Sequence, residues 1–526
     1  MTSKQRSLVG GISILGIAGL ICKVVGVLYK IPLANAIGGA GLGVYQQVFP
    51  TYNLLLVISS AGIPVAISRM VAHYLARGQG KSARRVFRGA MVLLSALGVL
   101  ATLVMLVFSG RFAQATGTME SKAGFMMIAP SLLLVCVMSA FRGYMQGQRR
   151  MWPTAISQLI EQVGKVAIAL PLAYHYMGTG GYAMGAAGAL LGTSIAEAAA
   201  LLYMTVDYVL VRPGMQGEIA LDEGRPEGYR RIVRDLVFAA IPITIGASIV
   251  PLAGAVDSFM LVRLMKAYLP EQEALSRYGI YSGLVIALIN VPTALAMAMA
   301  TNLVPTISAK RAQGNREGVK RDAATGMRLA MVIGLPSSVG MSLLAKPILT
   351  LLFHKEYSPA QLQLGADLLQ ISALTIVVFT LVQSTSGILQ GLHKQRIPMY
   401  TLFLGIIVKV VVNYTAVNMP EVHITGAPYA SLACYLISAG LNLYYVLKYT
   451  GLKWSWREML LRPGLATLIM ALPVALASAL WGEWLGRSWL MLGLVMALAV
   501  VLYAAAALKT GAVRRSELPG RLGGRK

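Results

Sequence analysis

An all-α integral membrane protein of about fourteen transmembrane helices is predicted by composition, by the lengths of the apolar runs, and by the distribution of basic residues. The chain has 526 residues, 56% hydrophobic and only 13% charged, with a mean hydropathy of +0.67. A soluble domain carries about 25% charged residues, so this chain has half the charge needed to coat a water-facing surface. Disorder, a coiled coil and a secreted disulfide scaffold are excluded. The three cysteines, Cys22, Cys136 and Cys434, lie in apolar runs without metal-ligand spacing, and read as small core residues.

A span needs about 20 apolar residues to cross some 30 Å of hydrocarbon. Such stretches run near 9–31, 43–70, 87–108, 124–141, 153–174, 184–207 and 235–262. They continue near 280–306, 326–346, 367–390, 398–416, 426–447, 462–481 and 488–508. Nothing between them is long enough for a separate soluble domain. The longest break, Asp207 to Arg234, holds Glu218, Asp222, Glu223 and Glu227. The first run follows Lys4 and Arg6, and Ala34-Asn35-Ala36 mimics a cleavage site. It is nevertheless too long for a signal-peptide core and is interrupted by Lys23, so a retained first span is expected.

An even span count puts both termini on one side, and basic residues say which. The segments on the N-terminal side include 77–88, 142–150, 212–234, 310–328, 394–396, 448–462 and the tail after Lys509. With the N-terminus they hold 33 of the 46 Lys and Arg, against 8 in the opposite loops and 5 at membrane depth. Both termini are therefore expected in the cytoplasm. The net charge of +26 reads as topology with anionic-lipid contact. A nucleic-acid footprint would cluster on one folded face, so no nucleic-acid partner is expected.

An internal repeat is legible. Gln146-Gly147 opens a basic turn that restarts a helix at Pro153, and Gln390-Gly391 opens one that restarts at Pro398. Each turn is followed by a lysine nineteen residues after its Gln, Lys165 and Lys409. A second pairing sets Pro64-Val65-Ala66-Ile67-Ser68 against Pro305-Thr306-Ile307-Ser308. The expected organisation is a first six-helix bundle over 1–210, a cytoplasmic linker over 211–234, and a repeated six-helix bundle over 235–450 in the same orientation. Two further helices and a basic tail occupy 451–526. Parallel repeats around a central cleft are a known transporter plan.

Ionisable groups at membrane depth are functional candidates because their insertion costs about 2.5–3.5 kcal/mol each. In span 1, Gly16, Gly19, Lys23, Gly26 and Lys30 share one helical face. Lys30 lies at the rim, where an interfacial anchor is an equal reading. Span 5 aligns Gln158, Glu161 and Lys165, the last two at ion-pair spacing. Span 11 carries Lys409 with Asn413 one turn on and no acid nearby in sequence. Asp257 in span 7 is placed to pair with a cleft lysine or hold a coupling cation, and Glu197 in span 6 is a weaker equivalent. Arg69 and Arg263 lie near span ends, where snorkelling explains them, although Arg69 remains a binding candidate. Lysines exceeding acids suit an anionic substrate such as a pyrophosphate.

No enzymatic constellation is present. The chain lacks a Gly-x-x-x-x-Gly-Lys-Ser/Thr phosphate loop, and its five histidines are scattered without ligand spacing.

Certain local sequences resemble a known superfamily. These are Gly19 to Gly26, ending Leu-Ile-Cys-Lys-Val-Val-Gly, then Ile37-Gly38-Gly39-Ala40-Gly41-Leu42-Gly43-Val44-Tyr45, and Ser60 to Arg69. They resemble the multidrug/oligosaccharidyl-lipid/polysaccharide exporters, and most of all the stage V sporulation protein B and lipid II flippase group of Gram-positive bacteria. The resemblance covers spans 1–12. It implies a MATE-like fold in the bacterial cytoplasmic membrane and flipping of an undecaprenyl-pyrophosphate-linked saccharide, with the peptidoglycan precursor lipid II as the leading substrate. It also implies that Lys23 stands where lipid II flippases carry a basic cavity residue, that Tyr29 and Lys30 stand where one branch has a second arginine, and that Asp257 matches the span 7 acid. Cavity arginines of some relatives are apolar or small here, near Leu55 and Ser282. Multidrug relatives often carry an acid in span 1, and Lys23 argues against that branch. The expected partners are a lipid-linked oligosaccharide, anionic lipids and cell-wall synthases. No cofactor is expected, with Na⁺ or H⁺ coupling or the membrane potential as the drive. The alternatives are a flippase for another polysaccharide unit, a cation-coupled drug antiporter, and a non-transporting scaffold for cell-wall synthesis.

Overall fold

The computed structural model describes residues 3–220, 222 and 226–513, and for 3–17, 20, 23, 27 and 211–220 the backbone alone. Every regular element among the described residues is helical. The chain opens with α1 (Ser3–Ser60) and α2 (Gly62–Ala76), then α3 (Gly80–Val107), the short α4 (Ser109–Thr116), α5 (Ser121–Gly147) and α6 (Trp152–Gly164). A π-helical turn, Lys165–Ala169, leads into α7 (Leu170–Ala220), and α8 (Tyr229–Met265) and α9 (Glu271–Gly279) follow. These form one compact unit, Met1–Gly279. The second unit, Ile280–Lys526, opens on a π-helical turn, Ile280–Val285. It contains α10 (Ile286–Ala312), α11 (Arg316–Leu343), α12 (Ala345–Phe353), α13 (Pro359–Gly391), α14 (Arg396–Val412), α15 (Gly426–Thr450), α16 (Arg462–Leu485) and α17 (Trp489–Lys509). Compactness thus divides the chain after Gly279, one span later than the expected repeat boundary at 234/235.

Twelve helices among the described residues are long and apolar enough to cross a membrane. Two of them, Val24–Ala76 and Trp152–Leu210, run 53 and 59 residues. At about 1.5 Å per residue either would exceed twice the ~30 Å hydrocarbon thickness if straight. Each instead breaks at a glycine: Gly38 has φ 65° and ψ −176°, and Gly181 has φ 72° and ψ −169°. That backbone region is essentially closed to residues with a Cβ. Splitting both stretches at these glycines gives fourteen crossings, each overlapping one expected from the sequence.

Corresponding elements of the two halves match in local geometry. Helices α3 and α11 are both 28 residues long and start 236 residues apart, as do the short helices α4 and α12. After α12 the offset becomes 244: α5 and α13 end at Gly147 and Gly391. The same turn follows each. Arg149 and His393 take φ of 63° and 54°. Arg149 N–H donates to Gln146 O and His393 N–H to Gln390 O, both at 2.9 Å. The next amides reach back five residues, Arg150 to Met145 O and Lys394 to Leu389 O, closing the orphan carbonyls of the helix end.

The glycines before this turn let helices touch. A Cβ at Gly143 would sit 2.8 Å from Pro64 O, and one at Gly147 would sit 2.7 Å from Val71 Cβ and 3.0 Å from Ser68 O. In the second half Gly387 meets Ala300 O at 2.6 Å, and Gly391 meets Ile307 Cβ at 2.8 Å and Val304 O at 3.0 Å. Pro64 is therefore matched by Ala300, and not by Pro305 as the sequence pairing predicted. The two alignments differ by five residues at Pro64, and a run of apolar residues without a turn to mark the register does not resist such a slip.

The last helices dock on the second half. Val332 of α11 packs with Ala466 of α16 and Ala506 and Ala507 of α17, and Tyr503 Oη donates to Val332 O at 2.8 Å.

Candidate functional site

The first unit gathers most of its membrane-depth charge where α1, α5, α6 and α7 meet. Glycine makes the approach possible: a Cβ at Gly164 would lie 2.5 Å from Ala196 Cβ, and one at Gly192 would lie 2.2 Å from Ala169 Cα. α7 therefore lies directly against the segment carrying Lys165. Arg142 of α5 donates from Nη2 to Glu161 Oε1 at 2.7 Å and from Nε to Ser157 Oγ at 3.0 Å. Their side chains are only 14% and 15% exposed, so each charge depends on the other for solvation. Glu161 thus pairs with Arg142 and not with Lys165, the partner its sequence spacing offered.

Lys165, half-buried, opens the π-helical turn and forms no ion pair among the described residues. Lys30 of α1 is also half-buried without an ion pair among those residues, and the charges of Lys30 and Lys165 act on each other. Glu197 of α7 is buried. Its Oε1 accepts from Tyr52 Oη at 3.1 Å and Ser131 also acts on the carboxylate, while Oε2 is buried with no hydrogen-bond partner within 3.5 Å among the described residues. Lys165 and Glu161 both exert their charge on Glu197. The described cluster therefore sets Lys30, Arg142 and Lys165 against Glu161 and Glu197, with the two lysines uncompensated by contact.

Three contributors were not singled out in the sequence. In sequence Arg142 reads as a basic loop residue and Tyr52 as part of the apolar span 2. Cys22, read as a core residue, lies within the field of Glu161, Arg142 and Lys165. The one available signal was Arg142 following directly on an apolar run that ends at residue 141. The Lys23 side chain lies outside the described residues.

In the second unit Lys409 and Asn413 of the span 11 helix are buried, and both have interaction partners. Lys409, which has no acid near it in sequence, therefore has its interaction from packing. A polar network lies two turns away on the same helix. Thr401 Oγ1 donates to Asn442 Oδ1 at 2.7 Å, Asn442 Nδ2 donates to Ser386 Oγ at 3.2 Å, and Ser438 Oγ donates to Thr401 O at 3.1 Å. Asp257 of α8 is buried and partnered, and its neighbour Ser258 meets Thr51 of α1 at 3.3 Å. Arg69 and Arg263 are exposed. Among the described residues no group of three His, Cys, Asp or Glu could hold a metal ion. An apolar groove of about 540 Å³ lies between α11 and α16, lined by Leu335, Val339, Trp456, Leu461, Leu465 and Leu468.

Comparison with known proteins gives this arrangement a context. The profile of the polysaccharide biosynthesis protein family matches residues 8–310, and the MatE profile matches 242–415. The lipid II flippase MurJ of Bacillus subtilis is 24% identical over 485 residues, 90% of this chain and 87% of the relative. Stage V sporulation protein B of the same organism is 24% identical over 433 residues, 81% of each chain. A lipid II flippase MurJ structure in an inward closed conformation superposes with a TM-score of 0.66 at 12% identity, covering 94% of this chain and 97% of that one. Two of these three are named as lipid II flippases, and the chain is a multi-pass membrane protein. It belongs to the polysaccharide biosynthesis protein family, within the multidrug/oligosaccharidyl-lipid/polysaccharide exporter superfamily.

Proposed function

We propose that this protein flips an undecaprenyl-pyrophosphate-linked saccharide, the peptidoglycan precursor lipid II, from the inner to the outer leaflet by alternating access, with both termini in the cytoplasm. One observation carries the reading. Lys165 is held at membrane depth with its nearest sequence-adjacent acid, Glu161, already occupied by Arg142. A lysine so placed offers a compact positive charge to a phosphate. Its insertion cost is hard to justify in a protein that only scaffolds others.

On this reading Lys23, Lys30, Lys165, Lys409 and Asn413 bind the pyrophosphate and first sugar, with Arg69 at the entrance. Glu197, a buried carboxylate held by Tyr52, and Asp257 are the groups for H⁺ or Na⁺ coupling. The membrane potential is a further drive, worth about 2.3 kcal/mol per charge per 100 mV. Names of relatives supply the substrate class, and two half-buried lysines without an ion pair among the described residues, Lys30 and Lys165, agree with it. The test is complementation of a bacterium depleted of its own lipid II flippase, scoring survival and outward exposure of labelled lipid II. Rescue by the wild type and loss of rescue in Lys165→Ala are expected. Failure of the well-expressed, membrane-inserted wild type would move the substrate to another polysaccharide unit.

A further inference from the structure

The basic stretch from Arg77 to Arg88 is only partly absorbed by the fold. Arg85 is fully engaged: its Nη1 donates to Pro226 O at 3.1 Å and Glu227 O at 2.9 Å, and its guanidinium lies 5.2 Å from the Tyr229 ring centroid. The Lys81 amide donates to Asp222 Oδ2 at 2.8 Å. Glu227, just before α8, and Asp235 on it are taken by Arg231 and Arg234, at 3.3 and 3.4 Å. Arg84 and Arg88 form no ion pair among the described residues, and Arg88 is exposed.

Arg88 sits at the mouth of a groove of about 760 Å³ between α3 and α8, lined also by Met91, Val92, Ala96, Tyr229 and Val233. The groove leads onto bare apolar surface in one direction only. Along α3, Val92, Ala96, Val99, Leu103 and Val107 follow Arg88 at helical spacing, with Val92 71% and Val107 72% exposed. On α8, Phe238, Ile241 and Ile245 are exposed beyond Val233. A cationic end joined to a long apolar trough is the shape of an anionic amphiphile.

We propose that the α3–α8 groove is a binding site for one anionic diacyl phospholipid of the leaflet that the basic loops face. The phosphate bonds to Arg88 and Arg84, and an acyl chain runs along the stripe from Val92 to Val107. Basic pockets between transmembrane helices select anionic headgroups in this way. Arginines without an ion pair among the described residues favour an anionic lipid over a zwitterionic one. They also repel the chain's own tail, which carries Arg514, Arg515, Arg521, Arg525 and Lys526.

The experiment titrates full-length protein in detergent with dioleoylphosphatidylglycerol or dioleoylphosphatidylcholine and counts bound lipid by native mass spectrometry. Wild type should bind the anionic lipid at least fivefold more tightly, and Arg88→Gln should weaken it about fivefold, the worth of one basic contact near a membrane surface. Ala96→Trp, an exposed substitution that fills the groove and leaves the charge unchanged, should weaken both lipids alike. Equal affinity for the two lipids overturns the proposal, as does anionic-lipid binding unchanged in both variants. A copurified peptide occupying the groove without competition from phosphatidylglycerol also overturns it. Thermal midpoints without added lipid check folding, and Ala96→Trp carries the test alone if Arg88→Gln is misfolded.

Discussion

Replacing Glu161 by Gln tests whether this carboxylate serves the fold or the substrate. Arg142 and Glu161 meet at 2.7 Å with side chains 14% and 15% exposed, so the substitution strands a largely buried guanidinium. Removing one partner of a buried pair costs about 3–5 kcal/mol. The amide retains an acceptor oxygen and Ser157 still accepts from Arg142 at 3.0 Å, so the low end, about 3 kcal/mol, is expected. Arg142→Gln with Glu161→Gln removes both charges and should regain most of that loss. Two double-mutant cycles, read from unfolding in detergent, decide the matter. The 142/161 cycle should show coupling above about 1.5 kcal/mol, and the 165/161 cycle below about 0.5 kcal/mol. The reverse order would return Glu161 to Lys165 and remove the uncompensated cation on which the proposed function rests.

Gly147→Ala and Gly391→Ala should each lower stability by about 1–3 kcal/mol, because each Cβ meets backbone and β-carbon of the facing helix. Gly440→Ala, with nothing within 4 Å, should leave the unfolding midpoint unchanged or raise it. Gly38→Ala and Gly181→Ala force a Cβ into a backbone region that costs about 1–3 kcal/mol. Both should lower folded yield, measured by fluorescence-detected gel filtration, and Gly19→Ala, with open space around it, should not. Arg149→Gly and His393→Gly relieve positive φ at the two matched turns and should stabilise by up to about 1 kcal/mol each, in parallel.

The spans were legible because bilayer thickness imposes a length, and apolar runs of that length leave no other reading. The reversals at Gly38 and Gly181 were visible as breaks between runs but not as single residues, because many glycines flank them. The repeat was legible at Gln146-Gly147 and Gln390-Gly391, where a left-handed turn fixes the register, and slipped at Pro64, where the apolar run holds no turn to mark it. Ionisable residues in the site were legible one at a time, since each is costly in lipid. Their partners were not. Glu161 had Lys165 at helical spacing in its own helix, whereas Arg142 reaches it from another helix, and tertiary contact is not written in local spacing. The interaction of Lys409 is likewise not written in the span 11 sequence, which holds no acid near it.

The central claim is that uncompensated lysine at membrane depth carries a polyanionic lipid across. The direct measurement is flipping of dye-labelled lipid II by the purified protein in proteoliposomes, comparing wild type with Lys165→Ala and Lys165→Arg at matched unfolding midpoints. The account predicts flipping by wild type, at least a tenfold loss in Lys165→Ala, the equivalent of about 1.4 kcal/mol, and partial recovery in Lys165→Arg. Undiminished flipping by Lys165→Ala would contradict it.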